Sequence, residues 1–176
     1  MSEAFSVDTP AEPSFTVSGG KCHPPGAHLI DGGCNFCLHA PDAQSVEVCL
    51  FDSDEKLIST IVLPQKTGKV WHGHVKGVAV GQLYGYRVHG SMQPEIGFRF
   101  DETKLLIDPY AKRLNRPFVW DKTAFKEDNI NFVPKCVVIN ESFDWQSTAK
   151  PDLPLDDLIL YEVHVKLVIF KLSFVF

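Results

Sequence analysis

The chain lacks a basic block. Its 17 Lys and Arg and 22 Asp and Glu are interspersed, with a net charge of −5, which argues against nucleic acid as a partner. It also lacks a clean membrane span. The one long apolar stretch, residues 158–176, is interrupted by Glu162, His164, Lys166 and Lys171, and that many polar groups near a bilayer centre are costly. The opening MSEAFSVDTPAEPSF holds no apolar core, so no secretory signal is expected and the cytoplasm is the expected compartment. GxGxxG, P-loop, GxSxG and HExxH patterns are all missing, so nucleotide-binding, serine-hydrolase and zincin chemistry have no handle here. No cofactor and no metal are expected. Cysteine is sparse and odd in number: Cys22, Cys34, Cys37, Cys49 and Cys136. Without secretion, such a set favours reduced thiols. Cys34 and Cys37 form a lone CxxC on an expected strand, where residues three apart face opposite ways. Buried, inert thiols fit that geometry better than chelation.

What is present is a series of short β-like runs. Hydrophobic residues make up 44% of 176 residues, and charged residues 22%, enough to build a core. The spacing predicts strands at Asn35–His39, Ser45–Phe51, Leu57–Leu63, Val70–Lys76 and Tyr84–His89. SVEVCLF puts Val46, Val48 and Leu50 on one face; YGYRVH puts Tyr84, Tyr86 and Val88 on one face and Arg87 and His89 on the other. Short strands set apart by Gly, Pro and Asp turns indicate an antiparallel sandwich. Asp101–Leu106 reads as one or two helical turns with Asp101 as N-cap. Residues 111–134 read as an ordered loop region, Lys135–Asn140 as a further strand, 146–157 as a linker and Leu158–Lys166 as an alternating strand.

Few residues suggest chemistry. His72 and His74 share a strand face and could act together as metal ligands only with a third group that the sequence does not supply, so a solvent-facing strand is the simpler reading. Trp71, Trp120 and Trp145 are of the type that stacks on sugar rings, although a Trp in a small β domain more commonly fills the core.

Five phrases carry a family resemblance: GAHLIDGGCNFCLHAPDAQSVEVCLFD (26–52), VWHGHVKGVAVGQLYGYRVHG (70–90), GFRFDETKLLIDPYAKRL (97–114), PKCVVINESFDW (134–145) and LILYEVHVK (158–166). In this order and spacing they resemble the N-terminal part of bacterial glycogen debranching enzymes, in the isoamylase-like branch of glycoside hydrolase family 13. The resemblance spans roughly residues 20–166. It implies a mainly β fold: an N-terminal extension (1–20), an Ig-like antiparallel sandwich of the carbohydrate-binding family 48 type (21–110), a connector (111–157) and the first strand of an incomplete (β/α)8 barrel (158–166). The apolar residues 167–176 do not match the family, and they are expected to pair with the sandwich or to drive association.

The implied parent activity is retaining hydrolysis of α-1,6 branch linkages, which needs two flanking carboxyl groups. In the family these come from later barrel strands, and a barrel needs about 250 residues. No catalytic residue is therefore assigned, and Asp157 and Glu162 do not substitute. The resemblance implies an α-glucan such as glycogen as ligand, with Trp71, Tyr84 and Tyr86 as candidate substrate-binding aromatics. The alternatives are a stand-alone glucan-binding module and a structural sandwich that docks on a partner. Solvent exposure of Trp71 separates these two.

Overall fold

The computed structural model describes residues 14–122, 128–140, 142 and 144–164. The chain divides into two compact units, residues 1–141 and 142–176.

Among its described residues the first unit holds eleven short strands: β1 (Thr16–Ser18), β2 (Gly26–Ile30), β3 (Gly33–His39), β4 (Ser45–Phe51), β5 (Leu57–Val62), β6 (Gln65–Thr67), β7 (Val70–Lys76), β8 (Leu83–His89), β9 (Met92–Gln93), β10 (Phe98–Arg99) and β11 (Cys136–Val137). One sheet runs β1-β7-β3-β2, with β6 also paired to β7; the other runs β11-β8-β4-β5. Every ladder in these sheets is antiparallel. Asp31 and Gly32 join β2 to β3 with positive φ of 46° and 71°. Two such residues form the tight turn whose twist matches a hairpin.

Period-two alternation assigns the faces correctly. Val46, Val48, Leu50, Tyr86 and Val88 all enter the central core, with Tyr84 beside them. Phe36, Leu38 and Val75 meet them from the other sheet, and the Phe36 and Tyr84 rings pack edge to face at 5.2 Å. This is a β-sandwich with one shared core.

Both outer faces are partly covered. A second cluster, Cys49, Phe51, Leu83, Leu105, Val133 and Val137, lies on the far side of the β4–β8 sheet. Gly85 makes room for it: a Cβ there would stand 2.9 Å from Leu105 Cδ1. The returning segment is anchored by a polar knot on the β4–β5 turn. Glu55 accepts hydrogen bonds from Arg116 Nε (2.8 Å), Asn115 Nδ2 (2.7 Å) and Lys135 Nζ (3.2 Å). Lys135 Nζ also donates to the carbonyls of Ile130 and Val133. On the other sheet, residues 20–22 lie over the outer face. Lys21 exchanges two hydrogen bonds with the Asn35 side chain, and the Cys37 thiol donates to the Cys22 carbonyl.

Several expectations change. Asp101–Leu106 is not helical. Asp101 Oδ1 takes the Thr103 N–H and hydroxyl locally, and Leu106 exchanges two backbone hydrogen bonds with Tyr86, which needs extended backbone. The 3-10 turn lies instead at Pro94–Ile96. Only Cys136–Val137 of the expected Lys135–Asn140 strand forms a ladder, with β8. Part of the expected N-terminal extension, Thr16–Ser18, joins the first sheet along β7. In the second unit a 3-10 turn covers Leu155–Asp157. Leu158–His164 forms no ladder among the described residues. Residues 165–176, including the apolar tail, lie outside the described residues.

Candidate functional site

The three candidate aromatics are not equivalent. Tyr84 and Tyr86 are 1% and 0% exposed and pack edge to face at 5.9 Å between the sheets. A ring enclosed on both faces has none left for a sugar, so the expected stacking role does not fit these two. The alternation that groups them with Val88 is the same pattern that turns them inward.

Trp71 is half-buried on β7, opposite Leu38 of β3 and Lys66 of β6. Its Nε1–H donates to the Ala40 carbonyl at 3.2 Å. The Lys66 ammonium stands 5.0 Å from the ring centroid, within cation–π range. Lys66 also donates to the carbonyls of Pro41 (2.9 Å) and Ala43 (3.3 Å). Trp71 and Lys66 together hold the β3–β4 turn in place.

The other side of that turn forms one wall of a groove of about 470 Å³. Leu38, Tyr86, Val88, Phe98, Phe100 and Leu106 supply its apolar lining. Gly90 lets Phe100 lie down against β8: a Cβ at Gly90 would be 2.5 Å from that ring. His39, Asp42 and Arg99 stand exposed along the rim. Nothing local in the sequence joins residues 38–42 to 97–107; the sandwich brings them together.

Asp108, between the groove-lining Ile107 and Pro109, is the middle of a buried polar centre. The Tyr84 hydroxyl donates to Asp108 Oδ2 (2.8 Å) and the Tyr110 N–H donates to Oδ1 (2.8 Å). Burial pushes the Asp108 carboxyl above its ordinary range, and these two hydrogen bonds oppose the rise. Burial likewise pushes the Cys34 and Cys136 thiols up to about 12 and Cys37 to about 11. A thiol held that high is neutral and inert. Cys34 faces the core while Cys37 faces the opposite side, as the CxxC spacing on a strand requires.

His72 is buried rather than solvent-facing, because β6 folds over it: Thr67 Oγ1 lies 2.8 Å from its Nε2. His74 Nε2 is engaged separately, 3.1 Å from the Ile30 carbonyl. Among the described residues no three His, Cys, Asp or Glu side chains converge as metal ligands. Trp120 is 78% exposed and packs on Phe118 at 5.3 Å. It is not a core tryptophan, and no periodic signal marks it as exposed.

The sandwich coincides with a known family. The model of carbohydrate-binding module 48, the isoamylase N-terminal domain, matches residues 24–111. The chain belongs to this family. Beyond the module the likeness extends further along the chain, to curated glycogen debranching enzymes. The one from Yersinia enterocolitica is 40% identical over 159 residues, covering 86% of this chain and 24% of the relative. The one from Escherichia fergusonii is 40% identical over 157 residues, 85% of this chain and 24% of the relative. The chain thus spans about a quarter of the length of the curated relatives it matches. Among solved structures, the catalytic module of the pneumococcal glycogen-degrading virulence factor SpuA superposes with a TM-score of 0.51 at 22% identity, covering 67% of this chain and 16% of that one. The Group B Streptococcus pullulanase SAP gives 0.51 at 23% identity, covering 67% of this chain and 15% of that one. These two likenesses concern the fold.

Proposed function

We propose that this chain is the α-glucan-recognising N-terminal part of a glycogen debranching enzyme, whose complete form hydrolyses α-1,6 branch linkages. The observation that carries the reading is the agreement of the family match over 24–111 with the curated relatives over 85–86% of the chain. The chain itself contributes binding, not bond cleavage. A retaining glycosidase needs two carboxyl groups about 5–5.5 Å apart across a substrate cleft. Asp157 ends a single 3-10 turn and Glu162 lies on a segment that joins no described ladder, neither of which fixes a carboxyl pair across a cleft. Of the three expected aromatics, Trp71, partly buried on β7 with the Lys66 ammonium 5.0 Å from its ring, keeps the most surface for a sugar. The neutral, unpaired thiols of the core suit a reducing compartment such as the cytoplasm.

The test is retention on glycogen. The purified chain should be retarded in glycogen affinity electrophoresis, and Trp71→Ala should weaken the retardation several-fold. The same protein should release no reducing ends from branched limit dextrin. Wild-type mobility unaffected by glycogen sinks the binding role; turnover that tracks the purified chain sinks the division between binding and cleavage. A second reading, a sandwich that serves as a docking scaffold, is favoured by the exposed run Phe118–Val119–Trp120. It requires that glycogen leave the mobility unchanged.

A further inference from the structure

We propose that the groove between the β3–β4 turn and the 97–107 segment is the subsite that grips the α-glucan chain, with Phe98 and Phe100 as the apolar wall and Asp42, Arg99 and His39 as the hydrogen-bonding rim. This rests on the reading of the module as a glucan binder, and it names a place that, of the three expected aromatics, only the buried Tyr86 borders.

Four observations carry it. At about 470 Å³, the groove lies in the range of small-ligand sites, about 300–1,000 Å³. Its interior is apolar and aromatic, as the C–H faces of a pyranose ring require, and Phe98 and Phe100 present neighbouring rings with centroids 6.4 Å apart. Its rim groups are uncommitted: the side chains of His39, Asp42 and Arg99 make no hydrogen bond or ion pair among the described residues. Asp101, by contrast, is spent on Thr103. A carboxylate and a guanidinium offer acceptors and paired donors to vicinal hydroxyls.

The charges decide the ligand class. Asp42 and Asp101 are balanced by Arg99 and Lys104 in the lining, so the rim has no excess of either sign. A phosphorylated or cationic ligand would find no complementary field. An apolar peptide segment would cover Asp42 and Arg99 without pairing them, which is costly. A neutral polyol with an apolar face satisfies both the wall and the rim. The shared turn also links the groove to Trp71. Ala40 and Pro41 line the groove, and their carbonyls are held from behind by Trp71 and Lys66. Loss of Trp71 therefore acts on the groove through the turn as well as through any direct contact.

The experiment is calorimetric titration of the purified chain with maltoheptaose, comparing wild type, the double variant Asp42→Ala/Arg99→Ala and Trp71→Ala. Both rim side chains are exposed, so the double variant should unfold at the same urea midpoint as wild type. The expected result is a Kd raised about tenfold or more by the double variant. Amide chemical-shift changes on adding maltoheptaose should cluster at 38–42 and 97–101. Wild-type binding that the double variant leaves within twofold, with shifts clustered elsewhere, overturns the groove while the glucan-binding reading stands. No wild-type binding at millimolar maltoheptaose overturns both.

Discussion

Replacing Glu55 with Gln removes one charge and almost no volume from the knot that fastens residues 115–135 to the β4–β5 turn. The wild-type carboxylate is fixed by Arg116 first, then Asn115 and Lys135, and together these hold its pKa at about 2 against an ordinary 4.5. Moving a carboxyl that far corresponds to about 3 kcal/mol at neutral pH. The Glu55 side chain is 24% exposed, so some screening applies and a loss of about 2–3 kcal/mol is expected. Much of that cost falls on Lys135, whose side chain is 0% exposed and whose ammonium then keeps only two carbonyls and the Phe51 ring, 5.0 Å away. The sign with pH is set by the depressed folded pKa. The stabilisation is complete above 4.5 and fades as pH falls towards 2. Urea unfolding followed by tryptophan fluorescence should show the full gap between wild type and Glu55→Gln at pH 7, and roughly half of it or less at pH 3. A gap below about 0.5 kcal/mol at pH 7, or one that does not narrow on acidification, refutes the electrostatic account of this knot.

Four other outcomes are expected. His89 lies 3.1 Å from Glu47 and 2.9 Å from Glu102, and these carboxylates raise its pKa above 6.5, Glu47 most, against a smaller effect of burial. The stability difference between wild type and His89→Gln should therefore be full below pH 6.5 and shrink as pH rises through the folded pKa; a difference that grows with pH contradicts it. Asp108→Asn should be close to neutral at pH 7, because it removes a buried carboxyl while its amide oxygen can accept from the Tyr110 N–H and its NH2 can donate to the Tyr84 hydroxyl oxygen. Asp108→Leu should cost about 1–3 kcal/mol by leaving that hydroxyl and the Tyr110 N–H unpaired, as read from urea midpoints. Leu105→Ala should cost about 2–5 kcal/mol, since Leu105 is buried over Gly85 in the outer cluster; thermal unfolding of the variant checks this.

Local sequence determined β3, β4, β5, β7 and β8 and the faces of β4 and β8. Alternation in SVEVCLF and YGYRVH is a property of consecutive residues, and a strand turns successive side chains to opposite sides whatever its partner. The inward set Val46, Val48, Leu50, Tyr86 and Val88, the opposed thiols of Cys34 and Cys37 and the Asp31–Gly32 turn all obey that local logic. What lies against each face is decided by segments far away in the chain, and here only the tertiary structure answered. His72 is solvent-facing by local pattern, yet β6 covers it. Tyr84 and Tyr86 are available to sugar by residue type, yet the second sheet encloses them. Glu55 meets Lys135 across 80 residues, and the groove joins a turn at 38–42 to a segment at 97–107. Periodicity says which way a side chain points; only the folded chain says what it meets there, because burial is a property of the neighbours.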